Sequence, residues 1–470
     1  MNKNIHKWFI LALLSVLVLT SCDKYLDVQP KGMRLLSTVT DFELWLESDF
    51  LQTQVPFHLN LLGDTKDNTT IKNPPVMGTD WIFSWQKQFS NELKATPAIW
   101  SDQYKAIYYY NTVLLGIDDA TGGTQEIKQS IKAEALLGRA FTYLYLVNLY
   151  GKQYNQTTSD TDLAVPFMVS NDLSAPTPPR SSVKEIYDHI IADITSAIPD
   201  LPIQNDQNRF RGSKAGAYSI LARTYLYMAD YSKAAQNAQL ALDNGPNTIV
   251  DYSTMTQAAQ IPQLKRRPDA IFARYNTGRG SMEFPTLDLL KLYNKQDKRL
   301  NFFCSNIPVI PNLGGYVFAA RGKTMYWPGG ITSSGAYVYP NCGTSVAEMR
   351  LILAEAAART GSLSKACDEL HLVRKCRFAA SAYVKFESNI KESVLEAIIN
   401  ERIFEFPFHG LRWFDMRRLD AEGRMSEVKR IDNSGNVIAS LPPHSNKYTL
   451  QIPIQVLYFN PDWPQNEWDN

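Results

Sequence analysis

Residues 397–419 read AIINERIFEFPFHGLRWFDMRRL, and the way this stretch places its charges decides the fold. It opens as an amphipathic helix: Val394, Ile398, Ile399 and Ile403 recur at helical spacing, while Asn400, Glu401, Arg402 and Glu405 supply the polar positions. Pro407 ends the helix, because an interior proline has no N–H to donate and clashes with the preceding turn. His409-Gly410 then signals a turn before Leu411, Trp413 and Phe414 reopen an apolar run. The expected result is a buried corner that carries Glu401, Arg402, Glu405, Arg412 and Asp415, with Arg417 and Arg418 directly behind.

Two chemistries compete for those charges. Glu401 and Glu405, one helical turn apart, with His409 nearby, offer an acid/base or metal set. Alternatively they are counter-ions of Arg412, Arg417 and Arg418. The second reading is favoured, because buried arginines need carboxylate partners and a guanidinium fork binds a carboxylate at two points. A metal would ask for more ligands at better spacing.

Working outward, the chain begins with Lys3 and Lys7, an apolar run over 8–19, and then Leu19-Thr20-Ser21-Cys22. This pattern is an export signal over 1–21, too short for a comfortable membrane span. The small residues before Cys22 form a lipobox, so cleavage makes Cys22 the lipidated N-terminus, and several acyl chains on one cysteine suffice for stable anchoring. No later run is apolar enough to span a membrane. With 48 Lys and Arg against 47 Asp and Glu, the chain lacks the basic footprint of a nucleic-acid binder or a polybasic membrane patch.

Most of the remainder reads as helical hairpins. Residues 214–245 fit a tetratricopeptide-like pair: Tyr218, Leu221, Ala222 and Tyr225 on one helix, Ala234, Ala238 and Ala241 on the next. Residues 345–378 repeat the register, with Leu353, Ala354 and Ala357 answered by Ala366, Leu370 and Val373 across Gly361. Residues 99–117 and 125–150 form another pair, and Ser182 with Glu185 caps a helix running to about Ile198. Cys367 and Cys376 fall on one apparent helix, roughly 13 Å apart at the helical rise and beyond disulfide reach. Cys304 and Cys342 bracket an irregular loop where a bridge is feasible in an oxidising compartment.

Between the helices lie long irregular segments, about 50–96, 153–181, 246–343 and 423–470. Loops of this length in a compact protein are usually functional or disordered. Their aromatic content favours function and makes Trp81, Trp85, Tyr316, Tyr326, Trp327, Tyr337 and Tyr339 the candidate ligand contacts, with Asp64 and Asp67 as hydrogen-bonding partners. Nucleophile elbows, phosphate loops, paired C-x-x-C motifs and H-E-x-x-H pairs are not found, and no cofactor or metal is expected. His58, His189, His371 and His444 have no local partner pattern.

The run NERIFEFPFHGLRWFDMRRL resembles the C-terminal signature of the SusD/RagB family of outer-membrane nutrient-binding lipoproteins. Asn400, Glu401, Arg402, Glu405, Gly410, Arg412, Trp413, Asp415, Arg417 and Arg418 match it, while His409 stands where a glutamate is more usual. Residues 134–151 resemble the family's N-terminal half, and Tyr448 to Pro453 with Asn460-Pro461 and Gln465-Asn466 its closing segment. The resemblance implies one SusD-like domain over 22–470, an all-α tetratricopeptide-like hairpin scaffold with long loop insertions and few short strands. It further implies a non-enzymatic surface lipoprotein that captures an oligo- or polysaccharide for a SusC-like, TonB-dependent transporter. The alternative is a peptide-binding, RagB-like protein of the same architecture. Aromatic platforms favour the glycan.

Overall fold

The computed structural model describes residues 36–68, 71–76, 78–256, 260–276, 284–305, 324–325, 340–432 and 434–468. Cys22, Tyr316, Tyr326, Trp327, Tyr337 and Tyr339 lie outside the described residues. The longer helices are α1 (Ala98–Gly116), α2 (Gln125–Tyr150), α3 (Val183–Ala197), α4 (Lys214–Tyr227), α5 (Tyr231–Asn244), α6 (Val346–Arg359), α7 (Leu363–Arg374), α8 (Lys391–Glu405) and α9 (Arg412–Ala421). They pack as antiparallel hairpins, α1 on α2, α2 on α3, α4 on α5 and α6 on α7, with α5 against α6 and α8 across α6 and α7.

Local chemistry sets the boundaries. Ser182 accepts from the Glu185 N–H while the Glu185 carboxylate returns to the Ser182 N–H, the reciprocal cap expected at α3. Thr124, Ser213, Asp230 and Ser345 cap α2, α4, α5 and α6 with their side-chain oxygens. Helix α8 stops at Glu405, two residues before Pro407, and Gly410 turns the chain with φ +73°, the left-handed region glycine tolerates.

Helix α2 is the axis of the core. Every residue from Leu137 to Tyr150 is buried, so this half of the helix is covered on all sides. Its charged member, Arg139, forks Asp193 of α3 at 2.8 and 2.9 Å and donates to Asn111 of α1 at 2.9 Å. One guanidinium therefore joins three helices. Close approach of α1 depends on Gly138, where a Cβ would meet the Tyr110 ring at 2.2 Å.

The strands are short and antiparallel: β1 (Ala270–Phe272) with β4 (Thr344–Ser345), β2 (Cys304–Ser305) with β3 (Thr324–Met325), and β5 (Val428–Ile431) with β6 (Val437–Leu441). Two expectations need correction. The 50–96 segment is not devoid of helix: Asp49–Gln52, His58–Leu62 and Gly78–Phe83 are short helices, and Leu59, Leu62 and Phe83 join the main core. Cys376 does not share a helix with Cys367, because α7 ends at Arg374.

Substituting Gly138 by Ala is expected to force α1 and α2 apart and cost about 1–3 kcal/mol, the usual range for overpacking. Urea unfolding measures it, and an unchanged midpoint means that Tyr110 is not seated on this glycine.

Candidate functional site

The corner expected from the sequence is buried, and its carboxylates are neutralised. Arg299 reaches Glu401 and Glu405 at 2.8 Å each and also holds Asp297. Arg377 forks Glu405, with Nε 2.8 Å from Oε2. Arg402 and Arg418 share Asp415 at 3.1 and 2.7 Å, and Arg418 forks Glu355 of α6 at 2.6 and 2.9 Å. The counter-ion reading is correct in kind, but the partners differ. Glu401 and Glu405 take Arg299 and Arg377, which are remote in sequence, whereas Arg412 takes Asp64. Among the described residues Arg417 takes no carboxylate; it donates to the Asn148 and Gly151 carbonyls at the end of α2, where helix carbonyls lack internal partners.

These environments set the titration of the corner. Burial pushes the Glu405 carboxyl upward, but the Arg377 charge and hydrogen bond, with Arg299, hold it at about 2. Asp415 and Glu355 are likewise held at about 2 against burial by Arg402 and Arg418 and by Arg418 and Arg359, respectively. His409 goes the other way: burial lowers it to about 3 despite the nearby Glu405 charge. A glutamate locked as carboxylate beside a histidine locked neutral has no proton to exchange near pH 7. Among the described residues no group of three His, Cys, Asp or Glu is placed to hold a metal.

The candidate ligand residues separate into three kinds. Trp85 is 2% exposed, its Nε1 donates to the Leu62 carbonyl at 3.0 Å, and the Arg430 guanidinium lies 4.3 Å from its ring. It belongs to the core and offers no platform, which corrects the expectation. Asp64 is committed to Arg412 through two 2.7 Å hydrogen bonds. Asp67 and Trp81 remain half-buried on one ledge. There, Asp67 N–H donates to the Phe284 carbonyl at 2.7 Å, Thr286 N–H to the Thr65 carbonyl at 2.9 Å, and the Asn68 amide to Asp80, the neighbour of Trp81, at 3.1 Å. A cleft of about 940 Å³ opens beside Asp64, with Thr286, Asn400, Arg412 and Lys429 on its walls.

Sequence reasoning missed a second concavity, a groove of about 440 Å³ containing Trp100, Tyr104, Phe459 and Trp463. The signal available was Phe459-Asn460-Pro461-Asp462-Trp463, two aromatic rings across a proline turn.

Comparison with known proteins agrees with the hairpin architecture. A family model described as "Starch-binding associating with outer membrane" matches residues 24–226, and the model of the SusD family matches residues 346–468, including the whole 397–419 stretch. The chain belongs to the SusD/RagB family. This is a family of binding proteins, not of enzymes. Among SusD-like relatives, a "SusD-like protein" of Bacteroides ovatus is 21% identical over 87% of this chain and 82% of its own. "SusD-like protein P2" of Formosa agariphila is 32% identical over 36% of this chain, a match spanning only 32% of that relative's length. The SusD-like fold is seen in a SusD superfamily protein of Bacteroides thetaiotaomicron, with TM-score 0.75 and 19% identity over 92% of this chain and 100% of that one. It is also seen in surface glycan-binding protein A of Bacteroides uniformis, with TM-score 0.70 and 18% identity over 91% and 99%.

Glu405→Gln is expected to lose about 3 kcal/mol in urea unfolding, since Arg377 is then left buried without its counter-charge. Adding Arg377→Met should recover part of that loss, which a glutamate not coupled to Arg377 would not show. The sign of the His409 effect follows from its two states. The unfolded chain protonates near 6.5 and the folded chain only near 3, so the unfolded state holds the extra proton between these values and stability falls as pH drops from 6.5 toward 3. His409→Gln should flatten the dependence of melting temperature on pH over 6.5–4, the window above the main titration of Glu405 and Asp415.

Proposed function

We propose that this SusD-like chain is a lipid-anchored, cell-surface protein that captures an oligo- or polysaccharide and passes it to a SusC-like, TonB-dependent outer-membrane transporter. The observation that carries the reading is the match of both ends of the chain to SusD-type family models, one of them described as starch-binding and outer-membrane-associated. Names of structural neighbours, a "surface glycan-binding protein A" and a "SusD-like carbohydrate binding protein", point the same way. The lipobox ending at Cys22 supports the anchor. The mechanism is non-covalent: rigid hairpins hold a ledge bearing Asp67 and Trp81, and the aromatic segment 306–339 supplies Tyr316, Tyr326, Trp327, Tyr337 and Tyr339 as stacking faces for sugar rings.

The test is calorimetry of soluble protein lacking the lipidated cysteine against a panel of polysaccharides and peptides. Binding of a glycan is expected, and Trp327→Ala or Trp81→Ala should weaken it by roughly thirtyfold, about 2 kcal/mol, with little change in melting temperature. Trp85→Ala should instead cost about 3–5 kcal/mol of stability, as expected for deleting a buried indole. Peptide binding without glycan binding turns the function to the RagB-like alternative. In cells, Cys22→Ala should leave the membrane fraction while remaining folded.

A further inference from the structure

The groove missed by the sequence lies where the start of α1, residues 166–177 and the C-terminal segment 455–463 converge. Its volume of about 440 Å³ falls in the range of about 300–1,000 Å³ usual for small-molecule sites. No side chain lining it is charged. Trp100 packs on Tyr104 with ring centroids 4.9 Å apart, Trp463 is half-buried, and Phe459 is 78% exposed. Its polar atoms are of the kind that bind hydroxyls. Gln455 and Asn460 spend their amide N–H groups on the Glu92 and Val456 carbonyls at 2.8 and 2.9 Å, which leaves their amide oxygens as acceptors. The Trp463 indole N–H and the Ser101 and Thr177 hydroxyls make no hydrogen bond among the described residues.

The walls are fixed before any ligand arrives. Arg180, 7% exposed, donates to the Ala164 carbonyl at 2.8 Å, to Pro464 at 2.6 Å and to the Asn466 side chain at 2.7 Å, tying two of the walls together. Tyr104 Oη donates to the Pro166 carbonyl at 2.9 Å and Asn111 to the Met168 carbonyl at 2.9 Å, tying the third. The groove continues past Thr96, Pro97 and Gln455 into a neighbouring hollow of about 270 Å³.

We propose that this groove is a second carbohydrate subsite, separate from the ledge of Asp67 and Trp81, that takes a segment of neutral pyranose rings. The proposal rests on the glycan-binding reading above. A neutral sugar offers a C–H face to the aromatic rings and hydroxyls to the amide oxygens and the indole N–H. A uronate or a peptide terminus would leave water for a groove with no counter-charge. An acyl chain would cover the same acceptors without satisfying them.

The test uses the full mature chain in phospholipid nanodiscs and five neutral probes: maltoheptaose, cellohexaose, xylohexaose, mannohexaose and laminarihexaose. At least one should bind and change tryptophan fluorescence. Phe459→Ala, at an exposed position where folding is not at risk, should weaken that probe about tenfold, equivalent to 1.4 kcal/mol. Trp463→Phe keeps an aromatic ring, loses the indole N–H, and should likewise weaken that probe and diminish the fluorescence change. A probe that binds both groove variants as it binds the parent chain overturns the subsite and leaves the glycan reading standing. Failure of all five probes on the parent chain, with a peptide binding instead in the calorimetric panel, overturns both.

Discussion

A buried guanidinium must place five N–H donors and a charge, and the helices of this chain are arranged around that requirement. Arg418 of α9 lies between Asp415, one turn before it, and Glu355 in the middle of α6. Arg223 of α4 meets Glu348 of α6, with both side chains 1% exposed. Such pairs add little net stability, because desolvation offsets most of the attraction, but an unpaired member is costly. They act as registration. An aliphatic contact between α6 and α9 would tolerate a slide of one turn, whereas a two-point fork on Glu355 does not.

Two further arginines use the same chemistry on backbone. Arg417 takes the carbonyls at the end of α2. Arg430, from β5, donates to the carbonyls of Leu61, Gly63, Lys66 and Phe83 at 2.8 to 3.2 Å and lies over the Phe83 and Trp85 rings. Burial lowers both arginines to about 10, still charged at neutral pH. A segment poor in regular structure carries many unpaired carbonyls and cannot be buried unless something answers them. Arg430 answers several at once, which allows the 58–85 region to join the core and takes Trp85 inside with it.

This difference separates what was legible in the sequence from what was not. Helix positions follow from local periodicity and caps, so the pairs at 98–150 and 214–244 were readable within a residue or two, while the pair at 346–374 was read four residues too long at its end. The nature of the corner was readable from its composition. Its pairing was not, because Arg299 and Arg377 reach Glu405 across about a hundred and about thirty residues respectively, and no spacing rule spans such distances. The candidate site failed at Trp85 for the same reason: the tryptophan looks like a loop aromatic until Arg430, more than three hundred residues later, covers it. Trp81, four residues earlier and within the short helix Gly78–Phe83 that Trp85 lies beyond, stays half-exposed.

The C-terminal segment shows how such long-range ties prepare a surface for binding. Leu450 N–H donates to the Leu149 carbonyl, and the Asn466 amide to the Tyr150 carbonyl, at 2.8 Å each. The Trp463 wall is thereby fastened to the end of α2, the most deeply buried helix half in the fold. Trp100 on α1 packs edge-on against Tyr150 of the same turn, with ring centroids 4.9 Å apart. Two rings more than three hundred residues apart in the chain are thus referenced to one rigid point, and neither needs to be ordered when a ligand arrives. Association then loses less side-chain entropy, which matters most for a sugar, whose own hydroxyls give up water for each hydrogen bond gained. Irregular segments on a helical-hairpin scaffold gain affinity in this way without regular structure of their own. The chemistry that permits it is the one that buries the arginines: donors and acceptors satisfied across distance, with loops held as firmly as helices.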